Sequence, residues 1–163
     1  MRYSRLFETK ISPKNKTALL VLMPCFEYEI NRMLEIIQEA ALTQEIYMKF
    51  HPDTDSNKYL KHLEGNVKIV EDDIYTLFDR VGCVIGKSTG ALVEATSLGI
   101  PVINIETHDR LSHDYLPKFG KGVIWQNASS GAEIVKWVNI FSDLLKTKPS
   151  LINAIAKKQK EMF

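Results

Sequence analysis

Six short apolar runs, separated by polar loops and mostly by amphipathic segments, set the tightest limit on how this chain folds. The runs fall at residues 18–23 (ALLVLM), 45–50 (EIYMKF), 67–70 (VKIV), 83–86 (CVIG), 101–105 (PVINI) and 123–125 (VIW). Between them, apolar residues recur at helical spacing: Ile30, Met33, Leu34, Ile37 and Ala41, then Ile74, Leu77 and Phe78, then Ala91, Leu92, Ala95 and Leu98. A short helix is predicted over 57–63, and two helices over 132–145 and 150–161 close the chain. Strands that alternate with helices pair in parallel through right-handed crossovers, and both faces of such a sheet are covered.

The predicted class is therefore α/β, a Rossmann-like doubly wound parallel sheet of about six strands. Residues 1–16 read as a leader or interdomain linker and 17–163 as the domain. If the strand order is the common 3-2-1-4-5-6, it reverses between the first and fourth strands, and ligands in such sheets sit at that reversal. The apolar share (45%) and formal net charge (+1) suit one ordinary domain and give no electrostatic case for a nucleic-acid partner. No apolar run approaches the roughly 20 residues that cross a bilayer, and no charged-then-apolar leader opens the chain. A cytoplasmic protein is expected; the lysines at 157, 158 and 160 read most simply as a solvated helix face, with a peripheral contact with the inner membrane face as the alternative. Cys25 and Cys83 lie in apolar surroundings, lack metal spacing and read as buried reduced thiols.

The tetrapeptide Gly86-Lys87-Ser88-Thr89 resembles the end of a nucleoside-triphosphate loop, but the spacing excludes that loop. The first glycine would have to stand at Val81, and Cys83, Val84 and Ile85 read as buried strand. The segment is better understood as a strand followed at once by a helix start. A helix start presents unpaired N–H groups and partial positive charge. Lys87, Ser88, Thr89 and Gly90 are thus candidates for binding a phosphate, and no Glu or Gln follows at the position that would close a capping box. A plain N-cap at Ser88 or Thr89 is the competing account. Glu94, farther along that helix, is suited to a ribose hydroxyl or to an exposed helix surface.

In "KFHPD", His51 leaves the second strand at the same sheet edge, where Pro52 stops the strand. A histidine there can donate to a phosphate and, when protonated, assist a leaving group, or simply bond backbone in its own turn. Asp72 and Asp73 suit a helix cap, with nearby backbone open to a base. Trp125 and Trp137 read as core. His108, Asp109, His113 and Asp114, in the long connection 106–122, match no metal-ligand spacing, and no metal is expected.

Together these residues resemble a family. "NVKIVEDDIYTLFDRVGCVIGKSTGALVEATSLGIPVI" is similar to the C-terminal, donor-binding half of glycosyltransferases built from two facing Rossmann-like domains, the GT-B fold. The match runs over about residues 49–105. The pair "HP" and "ST" is similar to CDP-glycerol glycerophosphotransferases and to bacterial sialyl- and capsular polysaccharide transferases; sugar-nucleotide 2-epimerases share much of the pattern.

The resemblance implies that His51 is catalytic, that Lys87, Ser88, Thr89 and Gly90 hold donor phosphates, and that Glu94 meets the ribose. It places Val70, Asp72, Asp73 and Ile74 along the base. It implies a UDP-, CDP- or CMP-linked donor as substrate, no required cofactor, and transfer to an acceptor hydroxyl in surface polysaccharide biosynthesis. An N-terminal acceptor domain or a partner chain would complete the site, and a homodimer stays open. The alternatives are a UDP-sugar 2-epimerase-like fragment and a non-catalytic nucleotide-binding module.

Overall fold

The computed structural model describes residues 3–63, 65–107 and 115–163. Six strands form one all-parallel sheet: β1 (Leu19–Leu22), β2 (Ile46–Lys49), β3 (Val67–Ile69), β4 (Cys83–Gly86), β5 (Val102–Ile105) and β6 (Trp125–Ala128). Their order is β3-β2-β1-β4-β5-β6, so the direction of winding reverses between β1 and β4. Every residue of β1, β4 and β5 is buried, as central parallel strands covered on both faces require. The edge strand β3 is only partly buried.

The helices are α1 (Ser4–Glu8), α2 (Glu27–Ala40), α3 (Ile74–Phe78), α4 (Gly90–Ser97), α5 (Gly131–Thr147) and α6 (Pro149–Lys160). One core layer joins the sheet to α2 and α5, through Met33, Ile37, Ile134 and Phe141. The other joins it to α1, α3, α4 and α6, through Leu6, Leu77, Leu92, Ala95 and Ile152. Gly99, in the left-handed region at φ 83°, follows the end of α4 and turns the chain toward β5.

Two sequence expectations shift. The sixth strand was expected at residues 123–125 but forms at Trp125–Ala128, because Val123 and Ile124 belong to the turn that packs after a 3-10 helix, Lys118–Gly120. Gln126 and Asn127 hid the strand from a search for apolar runs. The helix expected at 57–63 is a 3-10 helix, Ser56–His62. The 1–16 segment carries α1, which is docked on the domain: Leu6 is fully buried, and the Arg5 guanidinium donates to Asp73 at 2.7 Å and lies 4.8 Å from the Tyr75 ring centre. Trp125 is core as expected, 1% exposed, with its indole N–H donating to the Pro117 carbonyl.

Candidate functional site

Strand register brings the site together. Leu22, the last residue of β1, lies level with both Lys49 of β2 and Gly86 of β4. The segments leaving these three strands therefore emerge side by side. They border an open cleft of about 750 Å³ at the β1/β4 reversal, within the usual size range of small-molecule sites. Pro24, Cys25, His51, Lys87, Ser88, Thr89 and Gly90 all line it. Aromatic side chains form much of its rim: Tyr3, Phe26, Tyr28, Tyr115 and Phe163.

The start of α4 has unusual backbone. Ser88 sits in the left-handed region at φ 43°, and its N–H donates to Oδ1 of Asn104 at 3.3 Å. A non-glycine residue held there costs about 1 kcal/mol, so the surrounding structure has to enforce it. Asn104 is itself held: its amide donates to Asn127 Oδ1 at 3.0 Å, and Asn127 donates to the Glu106 carboxylate. Thr89 is the N-cap, and its hydroxyl accepts from the Ala91 N–H at 3.4 Å. The cap is thus present, though long, and the N–H of Gly90 faces no carbonyl within its own helix.

Lys87 lines the cleft but is almost buried, and its ammonium donates to the Glu29 carboxylate on the first turn of α2. The side chains are 5% and 14% exposed, so the pair is largely shielded and the lysine charge is offset locally. An anion in the cleft therefore meets helix dipole, hydroxyls and imidazole before it meets a free monopole. His51 Nδ1 accepts from the Asp53 N–H at 3.3 Å, which leaves the neutral ring its proton on Nε2. The Asp53 carboxylate, 3.5 Å from the same nitrogen, pairs with it only when the ring is protonated.

The remaining candidates lie elsewhere. Glu94 is not among the cleft-lining residues; its carboxylate accepts from the Tyr75 hydroxyl of α3 at 2.5 Å. Burial first, and that bond second, hold the Tyr75 hydroxyl well above its ordinary pKa. Asp73 caps α3 by accepting from the Tyr75 N–H, and its bond with Arg5 keeps its carboxyl below the usual range. Asp72 lies 3.6 Å from Arg80, and Ile74 packs against the second core layer. Val70 borders a neighbouring depression of about 320 Å³ that shares His51 with the cleft. Lys49 donates to the Glu71 and Asp72 carbonyls and fixes that wall.

Cys25, expected to be buried, is exposed at the cleft because it follows the end of β1, whereas Cys83 is buried as expected and burial pushes its thiol up to about 12. His108, Asp109, His113 and Asp114 lie outside the described residues. Among the described residues no cluster of three or more His, Cys, Asp or Glu is placed to hold a metal, and no helix is long and apolar enough to cross a membrane.

Sequence reasoning missed Asn104 and Glu29. Asn104 carried a signal, as the one polar residue in "VINI" near the strand's carboxyl end. Glu29 carried none, since an acid in a helix's first turn is commonplace.

No protein-family model matches the sequence, and no curated protein matches it. Solved structures do match the fold. A glycosyltransferase from Rickettsia africae aligns with 91% of this chain and 43% of its own, at TM-score 0.65 and 11% identity. The glycosyltransferase SnogD from Streptomyces nogalater aligns over 90% of this chain and 39% of its own, at TM-score 0.63 and 17% identity. HepE from Anabaena, solved in complex with UDP, aligns over 91% of this chain and 44% of its own, at TM-score 0.56 and 16% identity. At these identities the likeness is one of fold: an α/β, Rossmann-like sheet shared with glycosyltransferases. The chain spans about two-fifths of each of these proteins.

Proposed function

We propose that this chain is the donor-binding half of a glycosyltransferase-like enzyme, with the diphosphate of a nucleotide-activated sugar or polyol at the start of α4. The observation that carries this reading is one cleft at the β1/β4 reversal lined by both His51 and Lys87–Gly90. The fold it shares with glycosyltransferases, and the UDP bound to HepE, support the choice of a nucleotide.

In this reading the N–H groups at the start of α4 and the Ser88 and Thr89 hydroxyls hold the phosphates. As the bond to the leaving group breaks, negative charge grows on the departing phosphate oxygen, and donors already aimed at it lower the barrier. His51, through Nε2–H, adds a further donor from the opposite wall. Asn104 is a positioning residue: it fixes the backbone turn at Ser88 and reaches the donor only through that turn. The acceptor would arrive from a second domain or a partner chain across the aromatic rim. In this reading Glu94 keeps Tyr75 on one carboxylate oxygen and would offer the other to a ribose hydroxyl. The acceptor hydroxyl and a polysaccharide product belong to the same proposal.

Calorimetric titration with UDP, CDP, CMP and ADP tests it. At least one is expected to bind, and Ser88→Ala combined with Thr89→Ala is expected to weaken it about a hundredfold, since each lost hydrogen bond to a charged group is worth about 1.5 kcal/mol. Affinity has to be read directly, because losing the Thr89 cap also lowers fold stability by about 1 kcal/mol. Unchanged affinity in the double variant would move the site elsewhere, and no binding by any of the four would remove it.

A further inference from the structure

A basic and apolar face lies outside the cleft. The whole chain is close to charge balance, but residues 115–163 carry eight lysines against three carboxylates. On the last turn of α6, Lys157 and Lys158 are exposed, and Lys160, one turn beyond buried Ala156, is half-buried. The Lys158 ammonium lies 4.7 Å from the centre of the Phe119 ring, and that of Lys160 lies 5.6 Å from the Phe7 ring. These contacts join α6 to the 3-10 helix on one side and to α1 on the other. Phe7 is 55% exposed, Phe119 38% and Met162 66%, so the lysines are interleaved with apolar side chains that reach solvent. None of the three lysines forms an ion pair with a described carboxylate; Glu8 and Glu161 are the acids on this face.

We propose that this face, formed by α1, the Lys118–Gly120 helix and the end of α6, docks on a bilayer surface rich in anionic phospholipid. Lysines gain from the negative surface potential while apolar tips enter the boundary between headgroups and acyl chains. Single-stranded nucleic acid fits less well: it needs aromatic faces for base stacking, and Phe7 and Phe119 each have a lysine ammonium over the ring. The docked orientation also bears on the cleft. Tyr3 and Phe163, whose ring centres are 4.6 Å apart, line the cleft and stand next to this face, so its mouth would open beside the lipid surface.

Co-sedimentation of the full chain with two kinds of vesicle tests the proposal, and it is independent of nucleotide binding. The protein is expected to pellet with vesicles of equal parts phosphatidylcholine and phosphatidylglycerol, not with phosphatidylcholine alone, and to be released by salt. Replacing Lys157, Lys158 and Lys160 together by Gln is expected to weaken binding about a hundredfold, roughly fivefold per lysine, while circular dichroism shows the fold retained. Phe7→Ser with Met162→Ser is expected to weaken binding while leaving its salt dependence. Equal binding to both vesicles, binding to neither, full binding by the triple-Gln variant, or displacement from anionic vesicles by an equal charge of single-stranded RNA would each overturn it.

Discussion

Gly131→Ala is expected to destabilise the protein by about 3 kcal/mol, the upper part of the usual range for overpacking. Gly131 begins α5 where that helix crosses the end of α2. A Cβ added there would lie 2.4 Å from the Ala40 nitrogen and 2.6 Å from the Glu39 carbonyl carbon. Both obstacles are backbone, so no side-chain rotation relieves them, and one helix has to slide against a core that includes Met33, Ile37, Ile134 and Phe141. The shift would also strain the bond from the Gly131 N–H to Glu39 Oε2, 3.1 Å long. For a chain of this size such a loss lowers the melting temperature by about 10 °C. Urea unfolding checks it, with Gly65→Ala as control, because a Cβ at Gly65 meets nothing within 4 Å. Equal midpoints for the two variants would contradict the close crossing of α2 and α5.

Gly90→Asp is expected to separate fold from function. Gly90 is the exposed first residue of α4, and a Cβ there meets nothing within 4 Å. A carboxylate at the positive end of a helix stabilises it, here by about 0.5 kcal/mol. The same carboxylate would occupy the space proposed for the donor phosphate. Like charges about 5 Å apart in partly screened surroundings repel by about 3 kcal/mol, so nucleotide affinity should fall about a hundredfold. Gly90→Asn, close in size but uncharged, should keep most of the affinity. Titration calorimetry beside thermal unfolding gives both readings. Unchanged affinity in Gly90→Asp, together with an intact fold, would show that no anion sits at this helix start.

Much of the sheet was legible because its central strands are buried on both faces and so appear as unbroken apolar runs, as in "CVIG" and "ALLVLM". The reversal point followed once the common strand order was assumed, and the structure has that order, with His51 and Ser88 on one cleft. Where one face of an element carries polar groups the signal fades. β6 begins at Trp125 and continues through Gln126 and Asn127, so its apolar run gave a start two residues early. α1 buries only Leu6 and is too short to show a period.

Pairings between distant residues were out of reach for a related reason. Nothing in the spacing of Glu29 and Lys87, or of Tyr75 and Glu94, marks them as partners; packing of α2 against β4's exit, and of α3 beside α4, brings them together. These partnerships alter what the candidate residues offer. Lys87 brings its own counter-charge, and Glu94 already has a hydrogen-bond donor. The cleft accordingly offers a ligand dipoles and hydroxyls more than free charge.

The most direct measurement is a crystal structure of the chain soaked with UDP. Diphosphate oxygens within hydrogen-bonding reach of Ser88, Thr89 and the Gly90 N–H, with His51 on the facing wall, is the predicted result. A nucleotide lodged anywhere else, or a cleft left empty at saturating UDP while another nucleotide binds outside it, would contradict the assignment.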